Sequence, residues 1–189
     1  MGRPSNAETR RAQLADALVG LLAEGSFEQV TTADLARGAG LAPGLVHHYF
    51  GSKEEVLTLA VERLAIELEL RLTTRLRAAG SEPLARVEAI VDSWLATGPG
   101  ANPRAALTWV TIGDEARRRA DVRGLYLDAL GRTKERLAEE IARALPPARR
   151  RRARSIAEGV LVVIEGALRV GAAGGIEAGT AAPLARHVA

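Results

Sequence analysis

The sequence predicts an all-α protein, and three observations carry that expectation. No stretch alternates apolar and polar residues with the period of two that a half-buried strand needs. Apolar residues recur instead at three- and four-residue spacing, as on helices with one buried face. Gly and Pro, which helix interiors disfavour, punctuate these runs. The result is an array of about nine helices.

The first helix, about residues 7 to 24, places Leu14, Leu18, Leu21 and Leu22 on a buried face and ends at Gly25. Phe27 and Val30 then close a small core with Phe50. Thr31 is an N-cap for the second helix, and Asp34, three residues on, adds negative charge at its N-terminus. Leu35 and Ala36 face inward, and Gly38 with Gly40 breaks the helix. Pro43 suits the first position of a short third helix running to Tyr49. Ser52 and Glu55 form another capping box, opening a fourth helix over residues 52 to 79 with Leu57, Val61, Leu64, Leu68, Leu72 and Leu76 inside. At ~1.5 Å per residue this helix runs ~40 Å, more than a three-helix head needs, so it bridges into a second domain.

Gly80 to Pro83 ends that bridge. A fifth helix carries Leu84, Val87, Val91, Trp94 and Leu95 on one face, and the segment 98–103 (GPGANP) is a loop. A sixth helix, with Leu107, Trp109, Val110 and Ile112, is apolar on more than one side and therefore central. A seventh covers about residues 121 to 145, ending at Pro146 and Pro147. The eighth, about 148 to 173, opens with Arg149 to Arg152 and becomes nearly all apolar. A short ninth lies around 181 to 188. The domains expected are 1–60 and 61–189.

Helix, tight turn, short helix and capped long helix form the geometry that sets a rigid helix in a major groove. Thr31, Leu35-Ala36, Ala39-Gly40-Leu41, Gly44, His47-His48-Tyr49-Phe50 and Lys53 resemble the N-terminal signature of the TetR family of transcriptional repressors. The likeness spans about residues 8 to 65. Ala42 departs from the usual capping Ser, at a cost of ~1 kcal/mol, and His47 replaces the usual Tyr. The resemblance implies a TetR-like fold: a three-helix helix-turn-helix DNA-binding domain followed by a helical ligand-binding and dimerisation domain. It carries DNA contact over to Thr31, Thr32, Gly44, Leu45, His47, His48, Tyr49 and Lys53. Thr31 and Thr32 would offer hydroxyls and amides to a phosphate, and Gly44 would let the backbone approach. Leu45 would touch a thymine methyl, and Lys53 would clamp a phosphate. Arg3, Arg10 and Arg11, at the start of the chain, add candidate phosphate donors. No Arg, Asn or Gln lies between Pro43 and Tyr49, so bidentate base readout is missing from this helix. Operator choice then leans on the N-terminal arm, apolar contacts and DNA shape.

Bulk composition narrows the classes further. The chain has 189 residues, 47% of them apolar, and no cysteine, which removes disulfides, thiol nucleophiles and zinc-thiolate sites. The polar N-terminus lacks a signal core, and the longest apolar stretch is interrupted by Glu158, Glu165 and Arg169, so no membrane span is expected. The sequence reads as a cytoplasmic protein. The net charge is +3, yet residues 1–63 hold six basic and eight acidic residues, so the DNA reading rests on the motif. That acidic half also disfavours the alternative of an architectural DNA-binder, because sequence-independent binding requires many neutralised phosphates.

Adjacent helical residues point about 100° apart, so His47 and His48 cannot chelate one metal, and the third histidine is His187. Neither metal nor cofactor is expected. No Ser/His/Asp set or phosphate-cradling Gly-rich loop is present, which argues against an all-α enzyme. Gly159, Val163, Gly166 and Val170 lie on one stripe of the last long helix. The resemblance assigns that stripe to a homodimer interface; packing within the chain is the alternative. Glu165 either pairs with Arg169, one turn on, or faces a ligand. The tail from Arg143 to Val188, with its ARALP and VIEGALR segments, resembles the C-terminal domain of BetI-type regulators, which respond to choline. Trp94, Trp109, Tyr126 and Glu165 are the candidate ligand contacts. The partners expected are a double-stranded DNA operator, an unidentified small-molecule effector and a second copy of the chain, with the fourth helix as the lever between domains.

Overall fold

A computed structural model describes residues 6–97 and 102–174. Among these residues there are eight α-helices, two 3-10 turns and no strand. The helices are α1 (Asn6–Leu22), α2 (Thr32–Gly38), α3 (Leu45–Tyr49), α4 (Lys53–Ala78), α5 (Pro83–Trp94), α6 (Pro103–Glu115), α7 (Ala120–Ala144) and α8 (Ala153–Ala172). Arg3, His187, most of the 98–103 loop and the expected ninth helix lie outside the described residues.

The chain divides into two compact units, and the division differs from a single cut near residue 60. The first unit comprises residues 1–66 with 107–126; the second comprises 67–106 with 127–189. Trp109 and Tyr126, expected in the C-terminal domain, therefore belong with the helix-turn-helix. The physical reason is visible where α1 ends. Carbonyls at the end of a helix are open to further donors; here Thr108 Oγ1 donates to the Val19 carbonyl, beside the Ala23 N–H at 3.3 Å, and Thr111 Oγ1 donates to the Leu22 carbonyl, both threonine bonds at 2.9 Å. Thr58 on α4 likewise donates to Asp121 at 2.9 Å. Buried Glu115 is compensated by Arg118 at 3.2 Å and Arg119 at 3.1 Å.

Inside the first unit α1 packs on α2 and α3, and α2 packs on α3. Leu14, Leu18, Leu22, Phe27, Leu35, Val46, Phe50 and Leu57 are buried together in this unit. The α2–α3 turn is a Schellman motif: Leu41 N–H reaches the Ala36 carbonyl at 2.8 Å and Gly40 N–H the Arg37 carbonyl at 3.2 Å. Gly40 occupies the left-handed region with φ +66°, which a side chain would strain. Gly38 matters for another reason, since a Cβ there would stand 3.1 Å from the Ala17 Cβ on α1.

In the second unit Val87, Ile90, Val91, Trp94 and Leu95 form a core with Leu137, Ile141, Val160, Ile164 and Leu168. Leu84, expected on that buried face, is 52% exposed in the first turn of α5. Trp94 Nε1 donates to Thr133 Oγ1 at 3.0 Å, and Arg86 pairs with Glu140 at 2.7 Å. The arginine run is not the first turn of an α-helix. Pro147–Arg152 form a 3-10 segment and α8 begins at Ala153, so Arg149 to Arg152 are exposed ahead of the helix. Arg154 pairs with Glu135 at 2.7 Å.

Candidate nucleic-acid interface

The short helix α3 has one buried edge and one open edge. Val46 is buried and so is the C-cap Phe50, while His47 and His48 are exposed and Leu45 and Tyr49 are half-buried. The two rings at the end of the helix meet edge to face, His48 and Tyr49 lying 4.8 Å apart at 79°. The sequence expectation started this helix at Pro43; it starts at Leu45. Ala42 has no capping oxygen on its side chain, and its carbonyl instead accepts from Leu45 N–H at 3.0 Å, closing a turn through Pro43 and Gly44. Gly44 is exposed with φ −68°, and a Cβ built there meets nothing within 4 Å. Neither strain nor crowding within the chain demands glycine at this position.

At the start of α2 the capping box is complete. Thr31 Oγ1 accepts from Asp34 N–H at 3.1 Å and donates to Asp34 Oδ2 at 2.6 Å, while Thr31 N–H donates to the same carboxylate at 3.0 Å. The Thr31 hydroxyl proton is therefore committed to the cap. Thr32, at the first helical position and half-buried, has no such commitment to Asp34. The hydroxyl bond and then the backbone N–H of Thr31 hold the Asp34 carboxyl below its usual range, with Arg37 alongside.

Two cations assigned to phosphate by the sequence also hold backbone carbonyls inside the head. Lys53 Nζ donates to the carbonyls of Phe27 and Val30, both at 2.9 Å, and lies 4.3 Å from the Phe27 ring centroid. Arg11 donates to the Tyr49 carbonyl, with its guanidinium 4.0 Å from the Phe50 ring centroid. The sequence offered no signal for either arrangement, because each joins segments more than twenty residues apart.

A model of the N-terminal domain of bacterial regulatory proteins of the tetR family matches residues 14–60, and one of the BetI-type transcriptional repressor C-terminal domain matches residues 83–189. The chain belongs to the TetR family of transcriptional regulators. Among its relatives, the HTH-type transcriptional regulator BetI of Burkholderia thailandensis is 35% identical over 170 residues, covering 89% of this chain and 85% of the relative. BetI of Rhizobium meliloti is 34% identical, covering 83% and 75%. A Rhodococcus transcriptional regulator has the same fold at TM-score 0.79 and 20% identity, covering 94% of each chain. A Saccharomonospora viridis chain solved in complex with choline superposes at TM-score 0.77 with 22% identity, covering 94% and 92%. The relatives of this TetR-family chain are transcriptional regulators, not enzymes.

The remaining candidates of this TetR-family member fall in both units. Trp109 and Tyr126 come together in the first, buried, with ring centroids 6.0 Å apart. Trp94 is buried in the second with its indole N–H on Thr133, and Glu165 is half-buried on α8 with Arg169 exposed one turn on. Gly159 and Val163 are half-buried, whereas Gly166 and Val170 are exposed; a Cβ on either glycine meets nothing within 4 Å. Val162 beside them is 71% exposed. Among the described residues, no helix is long and apolar enough to cross a membrane and no cluster has the makings of a metal site.

Proposed function

We propose that the chain is a homodimeric repressor that binds a palindromic operator and is released by a small-molecule effector. The observation that carries this reading is the division of α3: Val46 anchors it to the core while His47, His48 and the bare Gly44 face outward. In this arrangement α3 enters the major groove. Leu45 supplies an apolar contact to a thymine methyl, while His47, His48 and Tyr49 offer donors to base edges and phosphates. Thr31 and Thr32 stand at the phosphate through the backbone at the start of α2, Thr32 with its hydroxyl as well. The reading places the protein in the cytoplasm, with the DNA it binds.

A second copy is supported by α8, which has two apolar faces. At about 100° per residue, Ala157, Val160, Ile164 and Leu168 share the buried side, while Gly159, Val162, Val163, Gly166 and Val170 share the opposite one. One chain covers only the first of these faces. Two copies joined through the second would present two α3 helices to successive major grooves. For the effector, the choline-bound neighbour makes choline the first probe.

Selecting duplexes from a random pool tests the reading. An enriched inverted repeat with half-sites about one helical turn apart is expected, with binding lost when an effector is added. Equal affinity for random duplex would favour an architectural DNA-binder, and no binding to either would remove the reading.

A further inference from the structure

We infer that Arg11 is a positioning residue for the DNA-reading helix and does not itself contact phosphate; the inference rests on the repressor reading above. A basic residue near the start of the chain in such a head invites a phosphate role. The structure directs its guanidinium elsewhere. Tyr49, whose carbonyl Arg11 grips, is the last residue of α3, and Phe50, which Arg11 covers at 4.0 Å, is its C-cap.

A helix of five residues cannot hold its own conformation in water, because so few bonds do not offset the cost of nucleation. Its orientation comes from what grips its ends. Val46 fixes one edge, and Phe50 N–H closes the last turn on the Val46 carbonyl at 2.9 Å. Arg11 supplies the third restraint, a cation at the helix C-terminus where the dipole favours one. His47 and His48 sit two and one residues before Tyr49, whose carbonyl Arg11 holds, so tilting this end would swing both rings. Lys53 repeats the device on the 3-10 turn at Phe27–Gln29, pairing one aromatic face with backbone carbonyls.

The test separates positioning from charge. R11Q is compared with wild type on the selected operator and on random duplex across a salt series. Loss of a phosphate contact would flatten the slope of log K against log salt by about 0.9 and weaken both duplexes together. Loss of positioning weakens operator binding by about tenfold, a fraction of what a cation–π contact with a charged hydrogen bond contributes to holding the helix. It leaves the slope and the random-duplex affinity at wild-type values. F50L keeps the Arg11 charge and removes the ring beneath it. It should weaken the operator too, and in the double variant the two losses should fall short of their product. Circular dichroism establishes that each variant is folded; if R11Q is not, F50L weakened on the operator with random duplex at wild-type affinity carries the decision. A flattened slope for R11Q, unaltered operator affinity in R11Q or F50L, or losses that multiply would each overturn the inference. Wild type that prefers no duplex would instead sink the repressor reading.

Discussion

Replacing Val162 with Asp probes the proposed dimer without touching the core of either unit. Val162 is 71% exposed in a single chain. Complete burial of a valine contributes ~1.5–3 kcal/mol, so covering the open part contributes ~1–2 kcal/mol per protomer. A two-fold interface uses each residue twice, which doubles this to ~2–4 kcal/mol. At 1.4 kcal/mol per tenfold, loss of the valine alone weakens the dimer roughly 30- to 700-fold. Two buried carboxylates near the symmetry axis add a desolvation cost and repel each other, so these figures are lower bounds. The monomer should keep its fold, because the helix-propensity difference between the two residues is only a few tenths of ~1 kcal/mol. Sedimentation velocity over a concentration series reads the dissociation constant, and far-ultraviolet circular dichroism checks helix content. Sedimentation of V162D as a dimer at wild-type concentrations would refute the assignment of this face and return the stripe to solvent.

Other substitutions test individual residues. Gly44→Ala should change stability by less than about 1 kcal/mol, since its backbone is ordinary and its Cβ meets open space; operator affinity by anisotropy should still fall by roughly 1–3 kcal/mol, the scale of one groove contact. Unchanged affinity would take Gly44 out of the interface. Asp34→Asn examines the α2 cap through pH. Folding lowers the carboxyl's affinity for protons, so its contribution is present above the unfolded value near 3.8 and fades as pH falls through the lower folded value. The melting-temperature gap between wild type and D34N should therefore be full near neutral pH and narrow as pH falls below the unfolded value near 3.8; a gap independent of pH would show that the carboxylate's charge contributes nothing. Trp94→Phe removes the donor to Thr133 and leaves a small void, and should cost about 2–3 kcal/mol in denaturant unfolding. A loss well under 1 kcal/mol would mean that water takes over the indole's place.

Local signals in the chain identified the helices because each feature acts within one turn. Thr31 and Asp34 close the cap of α2 within three residues, and Gly40 ends it through its own φ. The two-faced pattern of α8 was likewise present as spacing, since residues three and four apart must share a side of a helix. Pro43 misled by two residues, because the carbonyl of Ala42 closed a turn before the helix could start.

Sequence alone determined the all-α class, the helix-turn-helix motif and the candidacy of His47 and His48, for short-range patterns encode caps and turns; that both rings are exposed came from the structure. Tertiary structure alone decided where Arg11 and Lys53 spend their charge and why residues 107–126 join the first unit. Those outcomes depend on which carbonyls at helix and turn ends come within reach of a side-chain donor after the helices pack. The carbonyls of Val19, Leu22, Phe27, Val30 and Tyr49 each take a side-chain donor from a segment distant in the chain, a pairing that no local spacing records.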